Sequence, residues 1–221
     1  MTPAFSKLRE IFRDVPDAAW EKFETMAALH RDWNAKINLV SRKDIDALEW
    51  HHYAPCIAAA TFLKLMAGAR VLDVGTGGGF PGLLLAVLFP QAQFTLVDSV
   101  AKKIRVVADI ADKLALKNVQ TRAVRAENLS SHFDFVTGRA VTNLPAFFGC
   151  VKKLIRPGRK NSLPNGILYW KGGSLAEDSA ALGVEPSKIV SLETLLGDAC
   201  FAEKYILHYA YPDVFRSRVP R

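Results

Sequence analysis

Along the first part of the chain apolar residues recur at three- and four-residue spacing. Trp20, Phe23, Met26, Ala27 and His30 mark one face of a helix within residues 3–33, and Pro16 stands where a second helix can begin. A polar break (WNAKINLVSRKD, 33–44) follows, and helical character resumes near Ile45 and runs to about Leu65. After Gly68 the pattern changes to short apolar runs alternating with amphipathic stretches. RVLDV (70–74), QFTLVD (93–98), VQTRAV (119–124), FDFVTG (133–138) and ILYWKG (167–172) read as strands. Residues 81–89, 99–116 and 144–155 read as helices between them. This alternation predicts an α/β fold, a mostly parallel sheet with helices on both faces. The tail holds two more β-rich runs, SKIVSLETLL and EKYILHYAY, with no convincing helix between them. An antiparallel pair at the sheet edge is the simplest reading. Residues 1–68 then form a helical extension and 69–221 the main domain, packed as one unit.

Composition narrows the class. Half of the 221 residues are hydrophobic and 23% are charged, as in an ordinary globular protein. The longest clean apolar run, Gly82 to Phe89, is too short to span a bilayer. The first residues show no secretory h-region. Cys56, Cys150 and Cys200 form no CxxC pair, which argues against a zinc site or disulfide scaffold and fits a reducing cytoplasm. The net charge of +7 is unevenly placed. Residues 1–68 are neutral, residues 161–221 carry −1, and residues 69–160 hold fourteen Lys/Arg against six Asp/Glu. Lys102, Lys103 and Arg105 form one cluster, Arg122 and Arg125 a second, and Lys152, Lys153, Arg156, Arg159 and Lys160 a third. Each is either a solvated surface or a contact to a polyanion.

The strongest local signal is VLDVGTGGGFPG (71–82): a strand, a glycine-rich turn and a helix start, with Pro81 suited to the first helical position. Glycines allow close backbone approach, and ligands of doubly wound sheets bind off the carboxyl ends of the strands. Residues 77–82 match GxGxxG, so a dinucleotide is one reading. The first glycine after the strand, however, is Gly75, and Asp73 precedes it. An acidic residue there suits a cationic amino group better than a pyrophosphate. Asp98 ends the next strand, where a carboxylate can accept both hydroxyls of a ribose. S-adenosylmethionine offers that ribose and an ammonium, and no phosphate.

The sequence resembles the ribosomal RNA small subunit methyltransferase G family, also called glucose-inhibited division protein B. The resemblance is carried by WNAKINLVS (33–41), HHY (51–53), LDVGTGGGFPG (72–82), LVDS (96–99), RAENL (125–129), FDFVTGRAV (133–141), LIRPG (154–158) and LYWKGG (168–173). GxGFPG combined with GRAV after the fourth strand is its most specific part. The resemblance implies a Rossmann-like class I methyltransferase with a seven-stranded, mostly parallel sheet. It implies transfer of a methyl group from S-adenosylmethionine to N7 of a guanine in 16S ribosomal RNA, without a metal. Asp73, Gly75, Gly77, Phe80, Asp98, Ser99, Ala126, Glu127 and Arg139 become the expected cofactor contacts. Ala126 and Glu127 would meet the adenine, Asp98 would hold the ribose, and Arg139 would sit near the methionine end or the target base. Lys102, Lys103, Arg105, Arg122 and Arg125 become candidate RNA contacts. The expected partner is 16S rRNA or the small ribosomal subunit, and the expected state is a monomer. The chain departs from the family at Pro55-Cys56 and in a longer loop, GRKNSLPNG (158–166), expected to alter only the surface.

Other residues admit two readings. His51 and His52 read as structural histidines of a helix end or as RNA contacts, Trp33 as a core anchor or a stacking platform. Cys150 reads as core, which matters because cytosine-C5 methylation needs a cysteine nucleophile. Exocyclic-amine methyltransferases carry a [DNS]PP[YFW] motif where this chain has Gly138-Arg139-Ala140-Val141. Guanine N7 already presents a lone pair and loses no proton, so Arg139 is expected to align rather than to act as a base. A methyltransferase for other substrates, a non-catalytic RNA-binding factor and a nicotinamide oxidoreductase are the competing readings.

Overall fold

The computed structural model describes residues 3–41 and 44–219. Arg42 and Lys43, in the expected polar break, lie outside the described residues. Seven strands form one sheet: β1 Arg70–Val74, β2 Gln93–Asp98, β3 Val119–Ala123, β4 Phe135–Arg139, β5 Gly166–Gly172, β6 Lys188–Ser191 and β7 Lys204–Ala210. Their order is β3-β2-β1-β4-β5-β7-β6. The first five are parallel neighbours, and β7 runs antiparallel between β5 and β6. The order reverses at β1, so the chain leaves β1 and β4 on opposite sides of a crevice at their carboxyl ends.

Both faces of the central strands are covered, which is why they read as near-continuous apolar runs. Helices α1 (Pro3–Ile11) and α2 (Asp17–Asn34) pack with α3 (Ala54–Ile57), α4 (Gly82–Leu88) and α5 (Ala101–Lys113) on one face. That apolar cluster runs without a break from Phe5 to Ile206, joining the N-terminal helices to the sheet. The other face carries α6 (Leu144–Val151), α7 (Leu175–Leu182) and α9 (Tyr211–Arg216). Edge strand β3 exposes Arg122, a charge that discourages further strand pairing.

Three elements differ from the sequence reading. Within SKIVSLETLL only Lys188–Ser191 is strand. Leu192–Leu196 is a short helix, α8, because the Ser191 side chain caps it and Gly197 closes it in a left-handed conformation. Helix α7 has the same punctuation, Ser174 before it and Gly183 after it. The predicted helix near 45–65 is irregular. A π-helical turn, Glu49–Tyr53, leads into α3 and then a 3-10 turn, Ala58–Thr61. Pro55 has no N–H, so it cannot serve the carbonyl of His51 one turn back. Finally, the longer loop is more than surface. Ser162 and Asn161 bond the backbone of Lys64 and Met66, tying the loop to the segment that precedes β1.

Candidate functional site

The site grows from the turn after β1. Gly75 adopts φ +64°, and a Cβ there would lie 2.9 Å from Val141 Cγ2. Gly82 opens α4 so close to the sheet that a Cβ would lie 2.7 Å from Asp73 Oδ2. Asp73 itself is fully buried. Its Oδ2 accepts the Gly82 N–H at 3.1 Å and its Oδ1 the Thr137 hydroxyl at 2.7 Å. The negative group at the start of α4 is therefore internal to the protein. Pro81 stands one residue ahead of the helix rather than at its first position. His30 bolts the turn from below: Nε2 donates to the Gly78 carbonyl at 2.6 Å, and Nδ1 accepts from the Tyr53 hydroxyl at 2.7 Å. Burial pushes its pKa down to about 4, so the imidazole is neutral. From the sequence His30 was only one apolar-face position of a helix. Phe80 faces the same way, stacked on His30 with ring centroids 4.8 Å apart.

Above the turn lies a cavity of about 480 Å³. Gly75, Asp98, Ser99, Ala126, Glu127 and Val141 are on its wall, with Lys103 and Arg125 at its margin. Asp98 is almost fully buried and holds two loops at once, accepting Gly77 N–H on Oδ2 at 3.1 Å and Val100 N–H on Oδ1 at 2.9 Å. At the far end the Cys150 thiol donates to Glu127 Oε1 at 3.3 Å, and Lys153 donates to the Glu127 carbonyl at 2.7 Å. Glu127's own backbone N–H, then the thiol, hold its carboxyl below the usual range. Cys150 is thus a cavity residue and not core, a correction to the sequence reading. Burial and the Glu127 contact raise its pKa, so it stays a thiol and is a poor nucleophile.

Sequence order alone did not separate the wall from what stands behind it. Asp73 and Phe80 are behind the glycine turn and do not line the cavity, and neither does Gly77, whose N–H serves Asp98. Arg139 is on the other side of Ala140, in a smaller cavity of about 200 Å³. Its guanidinium donates to the carbonyls of His52 and His51, both at 3.1 Å, and meets His52 Nδ1 at 3.2 Å and Cys56 Sγ at 3.7 Å. Pro55 leaves the His51 carbonyl without a backbone partner, and the Cys56 thiol donates to the His52 carbonyl at 3.1 Å, so both residues of the Pro55-Cys56 departure shape the Arg139 socket. Burial, then Arg139, pushes His52 down to about 3, while burial pushes Cys56 up to about 11. Trp33 is half-buried and donates to Asp109 at 2.7 Å, fastening α2 to α5.

The family model described as rRNA small subunit methyltransferase G (GidB) matches residues 19–187. The chain belongs to this family. It is 45% identical over 204 residues to the ribosomal RNA small subunit methyltransferase G of Flavobacterium psychrophilum, covering 91% of this chain and 97% of that one. It is 44% identical over 172 residues to the protein of that name from Bacteroides fragilis, covering 78% and 84%. The fold is shared with distant solved structures. The fibrillarin/Nop5p complex matches with TM-score 0.53 at 13% identity, covering 74% of this chain and 83% of that one. The YcgJ protein of Bacillus subtilis matches with TM-score 0.51 at 16% identity, covering 68% and 81%.

In this GidB-family chain the five candidate RNA contacts, Lys102, Lys103, Arg105, Arg122 and Arg125, form no ion pair among the described residues. The third basic cluster is largely committed. Lys152 is buried on the Val219 carbonyl and Arg156 donates two hydrogen bonds to the Asp134 carboxylate. Among the described residues no helix is long and apolar enough to cross a membrane, and no cluster of His, Cys, Asp and Glu is set to hold a metal ion.

Asp73 makes a checkable contribution. Burial raises its pKa from 3.8 to about 6. A raised carboxyl pKa means that the fold favours the protonated form. The associated stability is complete below about pH 4 and is lost as pH rises through about 6. Relative to Asp73→Asn, the wild type should lose roughly 2 kcal/mol between those limits. Urea titrations of both proteins at the two pH values measure the difference, and a constant difference would refute it.

Proposed function

We propose that this chain transfers the methyl group of S-adenosylmethionine to N7 of a guanine in small-subunit ribosomal RNA. The observation that carries the reading is the convergence of Gly75 at the head of the glycine turn, Asp98 and Glu127 on one cavity, in a chain of this family. The cavity fits the cofactor's parts. Asp98 keeps free lone pairs after serving two N–H groups and suits the ribose hydroxyls. Ala126, Glu127 and the apolar side chains of Val124 and Phe147 suit the adenine. When bound, S-adenosylmethionine would supply an electrophilic methyl, to whose carbon the N7 lone pair would bond while the electrons of the C–S bond pass to sulfur. No proton leaves N7, so the chain's task is alignment and exclusion of water. Ala140, at φ +52°, stands between the two cavities. Arg139 fixes the turn that faces it.

Methyl transfer from labelled cofactor onto unmodified 16S RNA, 30S subunits and 70S ribosomes tests the reading. Borohydride–aniline cleavage then identifies 7-methylguanosine. Label without such cleavage would reject N7. Two further outcomes are expected. Replacing Lys102, Lys103 and Arg105 together should lower the salt slope of RNA binding by about two to three, and an unchanged slope would return them to solvated surface. The single-turnover rate should be flat between about pH 7 and 9, because the shifted groups of the site, His52, Cys56 and Asp73, titrate outside that window. A limb inside it would reveal a required proton transfer.

A further inference from the structure

We propose that the cavity beside Arg139 receives the target guanine and that His51, positioned by Asp44, recognises its N1–H. This rests on the guanine-N7 reading above. The cavity is walled by His51, Pro55, Arg139, Ala140 and Trp170, with Lys171 and Lys204 at its margin. Ala140 also walls the larger cavity, so a base seated here has the cofactor space as its neighbour. Among the described residues no carboxylate lines it. Its volume of about 200 Å³ suits a single base turned out of its stack.

N7 cannot identify guanine, because adenine has the same lone pair there. The purines differ on the six-membered ring, where guanine carries an N1–H donor and adenine a bare N1 acceptor. His51 presents the complement of guanine. The Ser41 hydroxyl donates to Asp44 Oδ2 at 2.6 Å, and His51 Nδ1 lies 3.1 Å from Asp44 Oδ1. The Ser41 bond, then the His51 bond, hold the Asp44 carboxyl below its usual range. An ionised carboxylate only accepts, so Nδ1 carries the hydrogen, and in the neutral imidazole the lone pair is then on Nε2. The His51 side chain is 38% exposed and accessible to a ligand. His52 has no such freedom, being packed against Phe80 and Arg139. The contact also favours the reaction. Methylation makes the base a cation and its N1–H more acidic, so a bond from N1–H to Nε2 strengthens as the methyl is transferred.

The test uses the full chain, saturating labelled cofactor and unmethylated small-subunit particles carrying guanine or adenine at the target. Loss of one buried hydrogen bond predicts a roughly 10- to 100-fold slower single turnover on guanine for His51→Ala. His51→Gln, whose Oε1 is also an acceptor, should regain most of the rate. Asp44→Asn should slow transfer by roughly fivefold by loosening the imidazole. Calorimetric cofactor affinity should change less than about twofold in all three, and the wild type should leave the adenine particles unmethylated. A His51→Ala rate within about threefold of wild type would overturn the inference, as would a His51→Gln rate no better than that of alanine, or loss of cofactor affinity in step with rate. If the wild type binds cofactor but methylates no particle, the guanine-N7 reading fails and this inference falls with it.

Discussion

Asp98→Ala should weaken S-adenosylmethionine binding about 100-fold, the sum of two charge-assisted hydrogen bonds at roughly 1.5 kcal/mol each. The carboxylate is at the carboxyl end of β2, on the wall of the large cavity. It also accepts the N–H groups of Gly77 and Val100, so its removal unpairs two backbone donors. The glycine turn should therefore loosen as well as lose a ligand contact. Asp98→Asn keeps an acceptor oxygen and should recover part of the affinity while turning its amide hydrogens on one of those donors. Isothermal calorimetry on folded protein measures both variants. Unchanged affinity for Asp98→Ala would remove the ribose assignment and leave Asp98 as a loop brace only.

Arg139→Ala should slow single-turnover transfer by about 100-fold, the effect of displacing a reacting group by about an ångström. The structure gives a specific route for the displacement. Arg139 spans from the end of β4 to the carbonyl of His51, which Pro55 leaves open, and to that of His52, which it shares with the Cys56 thiol. Without it the His51 carbonyl loses its side-chain partner, costing about 1–3 kcal/mol of stability, while the His52 carbonyl keeps the Cys56 thiol at 3.1 Å. Arg139→Lys should restore little, since a point charge cannot bridge two carbonyls, a thiol and an imidazole with one planar fork. Stopped-flow or quench kinetics at saturating cofactor, read beside urea titrations, separate the rate effect from the folding effect. A full rate in Arg139→Ala would show that the turn holds its place without the arginine.

Much of the larger cavity was readable as a linear pattern. Strand, glycine turn and helix follow one another within residues 70–88, and Asp98 closes the next strand, so local order alone puts Gly75 and Asp98 at one sheet edge. The smaller cavity was not readable that way. Arg139 and His52 are 87 residues apart, and the carbonyl that Pro55 leaves without a backbone partner meets the arginine only when β4 is beside it. Cys150 was misread for a related reason: its helical spacing is amphipathic, but the packing of α6 over β4 turns that position toward Glu127. The short helix after β6 was missed because a four-residue strand and a five-residue helix share one apolar stretch too brief for either period to show.

The sequence by itself determined the α/β class, the five parallel strands, the glycine turn and the family, because each depends on neighbours within a few residues or on an ordered set of short motifs. Only the tertiary structure decided which charged groups face a ligand. It turned Asp73 inward under Gly82, buried Phe80 on His30, and spent Arg139 on the carbonyls of a π-helical turn. It also set Asp44 against His51 beside the second cavity. The physical reason is that a buried polar group must find partners wherever the fold places them, and those partners come from segments far apart along the chain.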